Sequence, residues 1–272
     1  MSASESKNKS DGKPTTEPAR PRVNILGVGV SALNLEEATE HVVEACKKKQ
    51  KGYITVTGVH GIMEAQEDPE FGRILNNAFI CTPDGMPTVW VGKARGFRGM
   101  DRVYGPDLML EVMARSPSLK IKHFFYGGAN GVGLELKERL EKRYPGLPVV
   151  GVYEPPFRPL NASEEAELRA RLEACRPDIV WVGLSTPKQE RFMVDYLDKL
   201  ETTLMIGVGA AFDFHAGRVT QAPRWIQRSG LEWAFRIYQE PKRLWRRYFK
   251  NNPRFVVRIV LQLLGLKKYS LF

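Results

Sequence analysis

The 272-residue chain is poor in the residues from which metal and covalent sites are usually built, with three cysteines and four histidines. Cys46, Cys81 and Cys175 are odd in number and lack metal-ligand spacing, which favours reduced thiols in a cytoplasmic setting. The histidines are scattered, and no Asp-x-Asp pair of the kind that holds a divalent metal on a diphosphate occurs, so metal catalysis is disfavoured. A Gly-x-Ser-x-Gly elbow and a Walker loop are missing as well, which argues against hydrolase and P-loop chemistry. The glycines of Gly127-Gly128-Ala129-Asn130-Gly131-Val132-Gly133 do not follow the order G-x-G-x-x-G, so no nicotinamide cofactor, and no cofactor of any kind, is expected. No apolar run is long and uncharged enough to span a bilayer. Residues 1–22, rich in Ser, Lys, Glu and Pro, read as a mobile leader and not as a signal peptide, so export is not expected.

What the chain does have is an unevenly placed positive charge. The net charge is +10, yet residues 218–272 carry 13 Lys and Arg against 2 Asp and Glu, a balance of +11, and the other 217 residues come to −1. A basic tail seeks phosphate, whether on nucleic acid, anionic lipid or a diphosphate substrate. Its apolar stretch, Phe255-Val256-Val257, Ile259-Val260-Leu261 and Leu263-Leu264, is interrupted by Arg258 and Gln262. Such a pattern suits a helix lying in the headgroup region. The tail predicts helices over Leu231 to Ile237, Pro241 to Lys250 and Arg254 to Leu266.

Residues 23–229 alternate β-branched apolar runs with helical patterns, which predicts a Rossmann-like α/β domain with a mostly parallel sheet and helices on both faces. Strands are expected at Asn24 to Val28, Tyr53 to Thr57, Ala78 to Cys81, His123 to Tyr126, Val149 to Tyr153, Ile179 to Leu184 and Leu204 to Gly209. Helices are expected from Leu33 to about Gln50, from Val59 through Asn77, over Met86 to Arg95, through Arg115, to Tyr144, from a Ser163 cap to Cys175, and to about Leu200. Residues 230–272 then form a basic amphipathic appendage.

In open α/β sheets ligands bind beyond the carboxyl ends of the strands. The run Cys81-Thr82-Pro83-Asp84-Gly85-Met86-Pro87 places one carboxylate at such an end, held by flanking Pro and Gly. Two readings of Asp84 stand: a general base aimed into a cleft, or a turn aspartate bonded to its own backbone. Arg102, Gln189 and Asp213 also follow apolar strands or their loops, while His60 and His215 are alternative proton acceptors. The Gly127 to Gly133 loop reads either as a phosphate cradle of backbone N–H groups or as a tight turn.

Taken together, several runs resemble the WecG/TagA/CpsF glycosyltransferases: Pro83-Asp84-Gly85-Met86-Pro87, Phe125-Tyr126-Gly127-Gly128, Tyr153-Glu154-Pro155-Pro156-Phe157, Gly183-Leu184-Ser185-Thr186-Pro187-Lys188-Gln189-Glu190, Gly207-Val208-Gly209-Ala210-Ala211-Phe212-Asp213, Gly230-Leu231-Glu232-Trp233 and Glu240-Pro241-Lys242-Arg243-Leu244. The resemblance runs from about Val23 to Leu266. It implies an inverting, metal-independent transfer of a hexose or N-acetylhexosamine, typically N-acetylmannosamine. The donor would be a UDP-sugar, and the acceptor a polyprenyl-diphosphate-linked sugar at the inner face of the cytoplasmic membrane. Self-association through the body is implied as well.

By the same resemblance Asp84 matches the base and Arg102 a cation that meets diphosphate. Gln189 and Asp213 match donor-pocket residues, joined by Gly127 and Gly128 of the glycine loop. Arg243, Arg246 and Arg247 match basic residues that close over the site. The family's Thr-x-Asn after the second strand falls on Val56 and Gly58, so that this contact is either missing or rebuilt by Thr55, Thr57 or His60. Asp84 at its ordinary pKa would be ionised near neutrality without tuning.

Two other classes remain open on the residues alone. A UDP-sugar enzyme with a soluble acceptor would work without lipid, and a non-enzymatic phosphate- or nucleic-acid-binding protein would bind DNA in a salt-dependent way. The neutral body disfavours nucleic acid, whose sites spread a basic stripe along the folded surface.

Overall fold

The computed structural model describes residues 21–272, apart from the side chain of Arg243. The leader expected over residues 1–22 therefore lies outside the described residues except for its last two, and Arg22 already opens a strand. β1 (Arg22–Ile25) and β2 (Val28–Ser31) form an antiparallel hairpin where the sequence predicts one strand. The turn residues Leu26 and Gly27 both take positive φ, 51° and 87°. A two-residue hairpin turn requires this twist, and only the glycine signals it.

From there strands and helices alternate. α1 (Leu35–Lys48) starts at a capping box in which Asn34 and Glu37 satisfy each other's backbone N–H groups. β3 (Gly52–Thr57) follows. The single helix expected to Asn77 is two, α2 (Val59–Ala65) and α3 (Pro69–Asn77), because Asp68 caps a new N-terminus and Pro69 sits where its missing N–H costs nothing. β4 (Ile80–Pro83), α4 (Met86–Ala94), α5 (Gly105–Leu119), β5 (His123–Gly127), α6 (Val132–Arg143) and β6 (Val149–Tyr153) come next. α7 (Ala162–Cys175) is capped by Asn161 with Glu164, two residues before the expected Ser163. β7 (Ile179–Gly183), α8 (Lys188–Tyr196), β8 (Leu204–Gly207), α9 (Ala211–His215) and α10 (Arg224–Arg228) lead to α11 (Glu232–Gln239) and α12 (Pro241–Leu263).

Six strands pair in the order β4-β3-β8-β7-β5-β6, every pair parallel. The Rossmann-like α/β expectation is met. Successive strand residues point to opposite faces, and the core divides accordingly. Tyr53, Phe124, Tyr126, Val180, Val182 and Met205 pack on one face with α2, α3, α7, α8 and α12. Ile54, Phe125, Trp181 and Ile206 pack on the other with α1, α5, α6 and α9.

The two helices expected across Pro241 to Leu266 are one. Pro253 lies inside α12, where it removes one hydrogen bond and crowds the preceding turn. Packing on either side overrides that local cost: Leu244 and Asn251 are buried before it, Phe255 and Ile259 after it, with α2 as the main partner. The end of the chain is tied back to the N-terminal hairpin. The Gln262 amide accepts from Leu26 N at 3.0 Å and donates to Asn24 O at 3.1 Å. Phe272 N donates to Gly27 O at 3.2 Å, and its ring presses on Gly72 so closely that a Cβ there would come within 2.3 Å. Among the described residues no helix is long and apolar enough to cross a membrane.

Candidate active site

A cavity of about 840 Å³ opens beyond the carboxyl ends of β3, β4, β7 and β8, near the upper end of the usual range for small-molecule sites. α11 and α12 form its outer wall.

Asp84 stands in the cavity wall directly after β4. Its N–H continues the parallel ladder by donating to Thr57 O at 3.1 Å. Gly58 abuts its carbonyl, where a Cβ would come within 2.8 Å, and Gly85 carries the chain onward at φ +90° into α4. The backbone therefore aims the side chain and leaves little freedom at its root. Burial pushes the Asp84 carboxyl up to about 6; Arg102 and Arg236 pull it down, while Glu232 and Asp107 push it further up. The sequence expectation of an ordinary pKa is thus corrected: closing the site behind α11 removes the water that would stabilise the charge.

Arg102 is not part of the cavity wall. Its Nη1 donates to Gln227 Oε1 at 2.8 Å, its Nη2 pairs with Glu232 Oε2, and its guanidinium lies 3.9 Å over the Tyr104 ring. Gln227, Glu232 and Tyr104 do line the cavity, so Arg102 backs the wall beside Asp84. Among the described residues the cations in the cavity wall are Arg236 of α11 and Arg247 of α12. Among the described residues the buried Arg247 Nε has no hydrogen-bond partner. Arg246 is exposed beside Trp245 and points elsewhere, and the Arg243 side chain lies outside the described residues.

Gln189 is buried and lines the cavity at the start of α8. Its orientation is held from both ends: Oε1 accepts from Gly209 N at 3.0 Å and Nε2 donates to Glu190 Oε1 at 3.0 Å. Thr186 Oγ1 donates to the same Glu190 oxygen at 2.8 Å. Asp213 of α9 lines the cavity opposite. His60 is also in the wall, within 3.1 Å of Asn251 Nδ2 on α12. Burial, together with Arg247 and Lys250, lowers its pKa to about 4, so the ring is neutral and ties α2 to α12. His215 lies 3.0 Å from Pro106 O and outside the cavity.

Besides Arg102, Arg246 and His215, three further expected residues are not brought to the cavity: Thr57, Gly127 and Gly128. Thr57 turns into the sheet, where its hydroxyl donates to Thr55 Oγ1 at 3.1 Å; Val56 and Gly58, the positions of the absent Thr-x-Asn, face the cavity instead. Gly127 packs on Gly183, where a Cβ would meet Gly183 O at 2.6 Å, and Gly128 N donates to the same carbonyl at 3.3 Å. Two amides of the glycine loop are already occupied, since Gly131 N and Gly133 N donate to the two Glu154 carboxylate oxygens at 3.1 and 3.0 Å. A carboxylate of the chain itself thus fills the place expected for a phosphate.

Reading the sequence missed Arg236, Asn252 and the aromatic wall of Trp90 and Trp233. A signal for Arg236 existed: it stands four residues after Glu232 and thus on the same helix face. Among the described residues no three His, Cys, Asp or Glu side chains gather as a metal site.

Comparison with known proteins places these features in context. A family model described as "Glycosyl transferase WecG/TagA/CpsF family" matches residues 23–269. A Bacillus spizizenii protein named N-acetylglucosaminyldiphosphoundecaprenol N-acetyl-beta-D-mannosaminyltransferase is 30% identical over 227 residues, covering 83% of this chain and 86% of its own. A Bacillus subtilis protein of the same name is 26% identical over 196 residues, covering 72% and 74% respectively. The match spans the sheet, the Asp84 loop and the helices that close the cavity, and the chain belongs to the WecG/TagA/CpsF family of glycosyl transferases.

Proposed function

We propose that the protein transfers an N-acetylhexosamine, N-acetylmannosamine by likeness to its relatives, from a UDP-sugar to a polyprenyl-diphosphate-linked sugar, with inversion and without a metal. The observation that carries this reading is the placement of Asp84, Arg236 and Arg247 around one cavity. Asp84 accepts the proton of the acceptor hydroxyl as that oxygen attacks the anomeric carbon. The bond to the diphosphate oxygen breaks, and UDP departs with the electron pair. A carboxyl with its pKa near 6 is ionised roughly ten to one at neutral pH while remaining basic enough to take a proton, which is the balance general-base catalysis needs.

The charge that develops on the leaving diphosphate falls to Arg236 and Arg247. In a water-poor site such fixed cations stabilise it far better than solvent would. Gln189 and Asp213 supply polar contacts to the donor, and Arg102 keeps the α11 wall in place. The exposed aromatic and aliphatic residues Trp245, Phe249, Val257 and Leu264, interleaved with Arg246, Lys242 and Lys267, support docking of α12 on an anionic membrane surface from the cytoplasmic side.

The deciding assay measures UDP release by purified protein with UDP-N-acetylmannosamine and a polyprenyl-diphosphate-linked N-acetylglucosamine, with and without EDTA. Transfer that survives EDTA and yields the inverted anomer is expected. Absence of transfer from every UDP-sugar tried would sink the reading.

A further inference from the structure

Behind Gln189 the fold buries a second acid that the proposed chemistry does not use. Glu190 is 1% exposed and does not line the cavity. Burial pushes its carboxyl up, while the hydrogen bonds it accepts from Gln189 and Thr186 pull it down. Its Oε1 takes both of those bonds, and among the described residues its Oε2 is buried with no hydrogen-bond partner. An acid so placed costs the fold free energy that an apolar side chain of similar size would not. The usual structural use of a glutamate at this point of a helix is closed as well. Glu190 is the third residue of α8, from which a capping glutamate reaches back to the N–H of the residue before the helix. Here that residue is Pro187, which has no N–H.

What Glu190 does touch is the Gln189 amide. Gly209 N–H, which can only donate, meets Gln189 Oε1, and a carboxylate oxygen, which can only accept, meets Gln189 Nε2. Turning the amide over would set N–H against N–H at one contact and oxygen against oxygen at the other. The amide also lies on Gly207, where a Cβ would come within 3.0 Å of Gln189 Nε2 and of Met193 Cε. It is thus held on its face as well as at both ends. We infer that Glu190 is a positioning residue that fixes the Gln189 amide in one orientation, with Oε1 toward Gly209 and Nε2 over Gly207, so that the cavity presents a set polarity to the sugar nucleotide. The inference rests on the function proposed above, in which Gln189 meets the donor, and adds to it the group that aims this contact. Thr186 also lines the cavity and donates to the same Glu190 oxygen, so one buried acid orders two wall residues without itself touching the substrate.

The test reads the Gln189 amide directly and then its consequence. In proton–nitrogen correlation spectra of the full chain, isotopically labelled at its glutamine side chains, the Gln189 signal pair is the one missing from Gln189→Ala. Glu190→Met is expected to move that pair toward the position of exposed glutamines and to speed its exchange with water. Glu190→Gln, whose amide oxygen can take both bonds, is expected to leave it in place. In transfer assays with UDP-N-acetylmannosamine, Glu190→Met is expected to lower kcat/KM by about tenfold or more, the factor carried by one hydrogen bond to a charged group, and Glu190→Gln by no more than about threefold. In the Gln189→Ala background Glu190→Met is expected to cost less than about twofold, since the side chain it positions is gone, whereas a purely structural role would cost the same in both backgrounds. An unmoved signal pair in Glu190→Met, or equal costs in the two backgrounds, overturns the positioning. Glu190→Gln carries the test where Glu190→Met does not fold: a loss as large as that of Gln189→Ala overturns the positioning, and retained transfer with an unmoved pair supports it. Spectra that behave as expected in a protein that transfers no sugar support the positioning and count against the glycosyl-transfer reading alone.

Discussion

Glu232, in the first turn of α11, holds Arg102 in an ion pair directly behind the wall that carries Asp84. Both side chains are largely removed from water, at 10% and 17% exposure, so their fields reach the carboxyl with little screening. They act on it with opposite sign, Arg102 lowering its pKa and Glu232 raising it. The helix that closes the cavity thereby also helps set the basicity of the group inside it.

Opposite substitutions should therefore move the activity profile in opposite directions. Glu232→Gln removes the anion and is expected to shift the acid limb of kcat/KM to lower pH. Arg102→Gln removes the cation and is expected to shift it upward, each by up to about one pH unit. Profiles that fail to separate would show that the limb does not report Asp84.

Asp84→Asn should lower transfer by about 10²- to 10⁴-fold and at the same time stabilise the fold at neutral pH. The sign follows from linkage. The folded-state pKa is raised to about 6 from the ordinary 3.8, so between these values the native state holds a proton that the unfolded chain has released. Native stability accordingly falls as pH rises through that window, and above it the wild-type protein bears the full cost of a buried carboxylate. The variant is expected to melt higher at pH 7 by the equivalent of up to about 3 kcal/mol, with the gap vanishing near pH 4. Melting curves at the two pH values decide it.

Arg236 and Arg247 should affect turnover more than donor affinity, since the charge they meet develops as UDP leaves. Alanine at either position is expected to cost about 10²-fold or more in kcat. Lysine should recover only part of it, because a point charge cannot replace a planar fork of donors on a diphosphate. A change confined to KM would assign these residues to ground-state binding.

The C-terminal clamp predicts a strong coupling between two distant positions. Gly72→Ala would drive a methyl group into the Phe272 ring, so it should destabilise the fold by about 1–3 kcal/mol. Phe272→Ala should weaken the attachment of the end of the chain to the hairpin turn at Gly27. Combined, the two should cost clearly less than their sum, because the second removes the atoms with which the first collides. Additive losses by denaturant unfolding would rule out the contact.

Much of the sheet was legible because most of its strands are buried runs of β-branched and aromatic residues, and such runs have few other places to go. The Asp84 loop was legible for a related reason: Pro, Asp and Gly in that order after an apolar strand have a narrow set of backbone conformations. The hairpin turn at Leu26 was hidden because a leucine with positive φ contradicts its own preference, and tertiary burial enforces it. The continuity of α12 through Pro253 was hidden likewise, since the local cost of the proline is offset by contacts with α2 far away in the chain. The occupied glycine loop depended on Glu154, more than twenty residues further on, which no local pattern connects with Gly131.

The sequence alone determined the parallel α/β architecture, the family likeness and the concentration of positive charge in the last fifty-odd residues, because periodicity, turn chemistry and composition are local properties. Only the tertiary structure decided which cations face the cavity. It turned Arg236 and Arg247 inward, committed Arg102 to Glu232 and left Arg246 in solvent. It also raised the Asp84 pKa, since desolvation depends on what packs over a group and not on its neighbours in the chain.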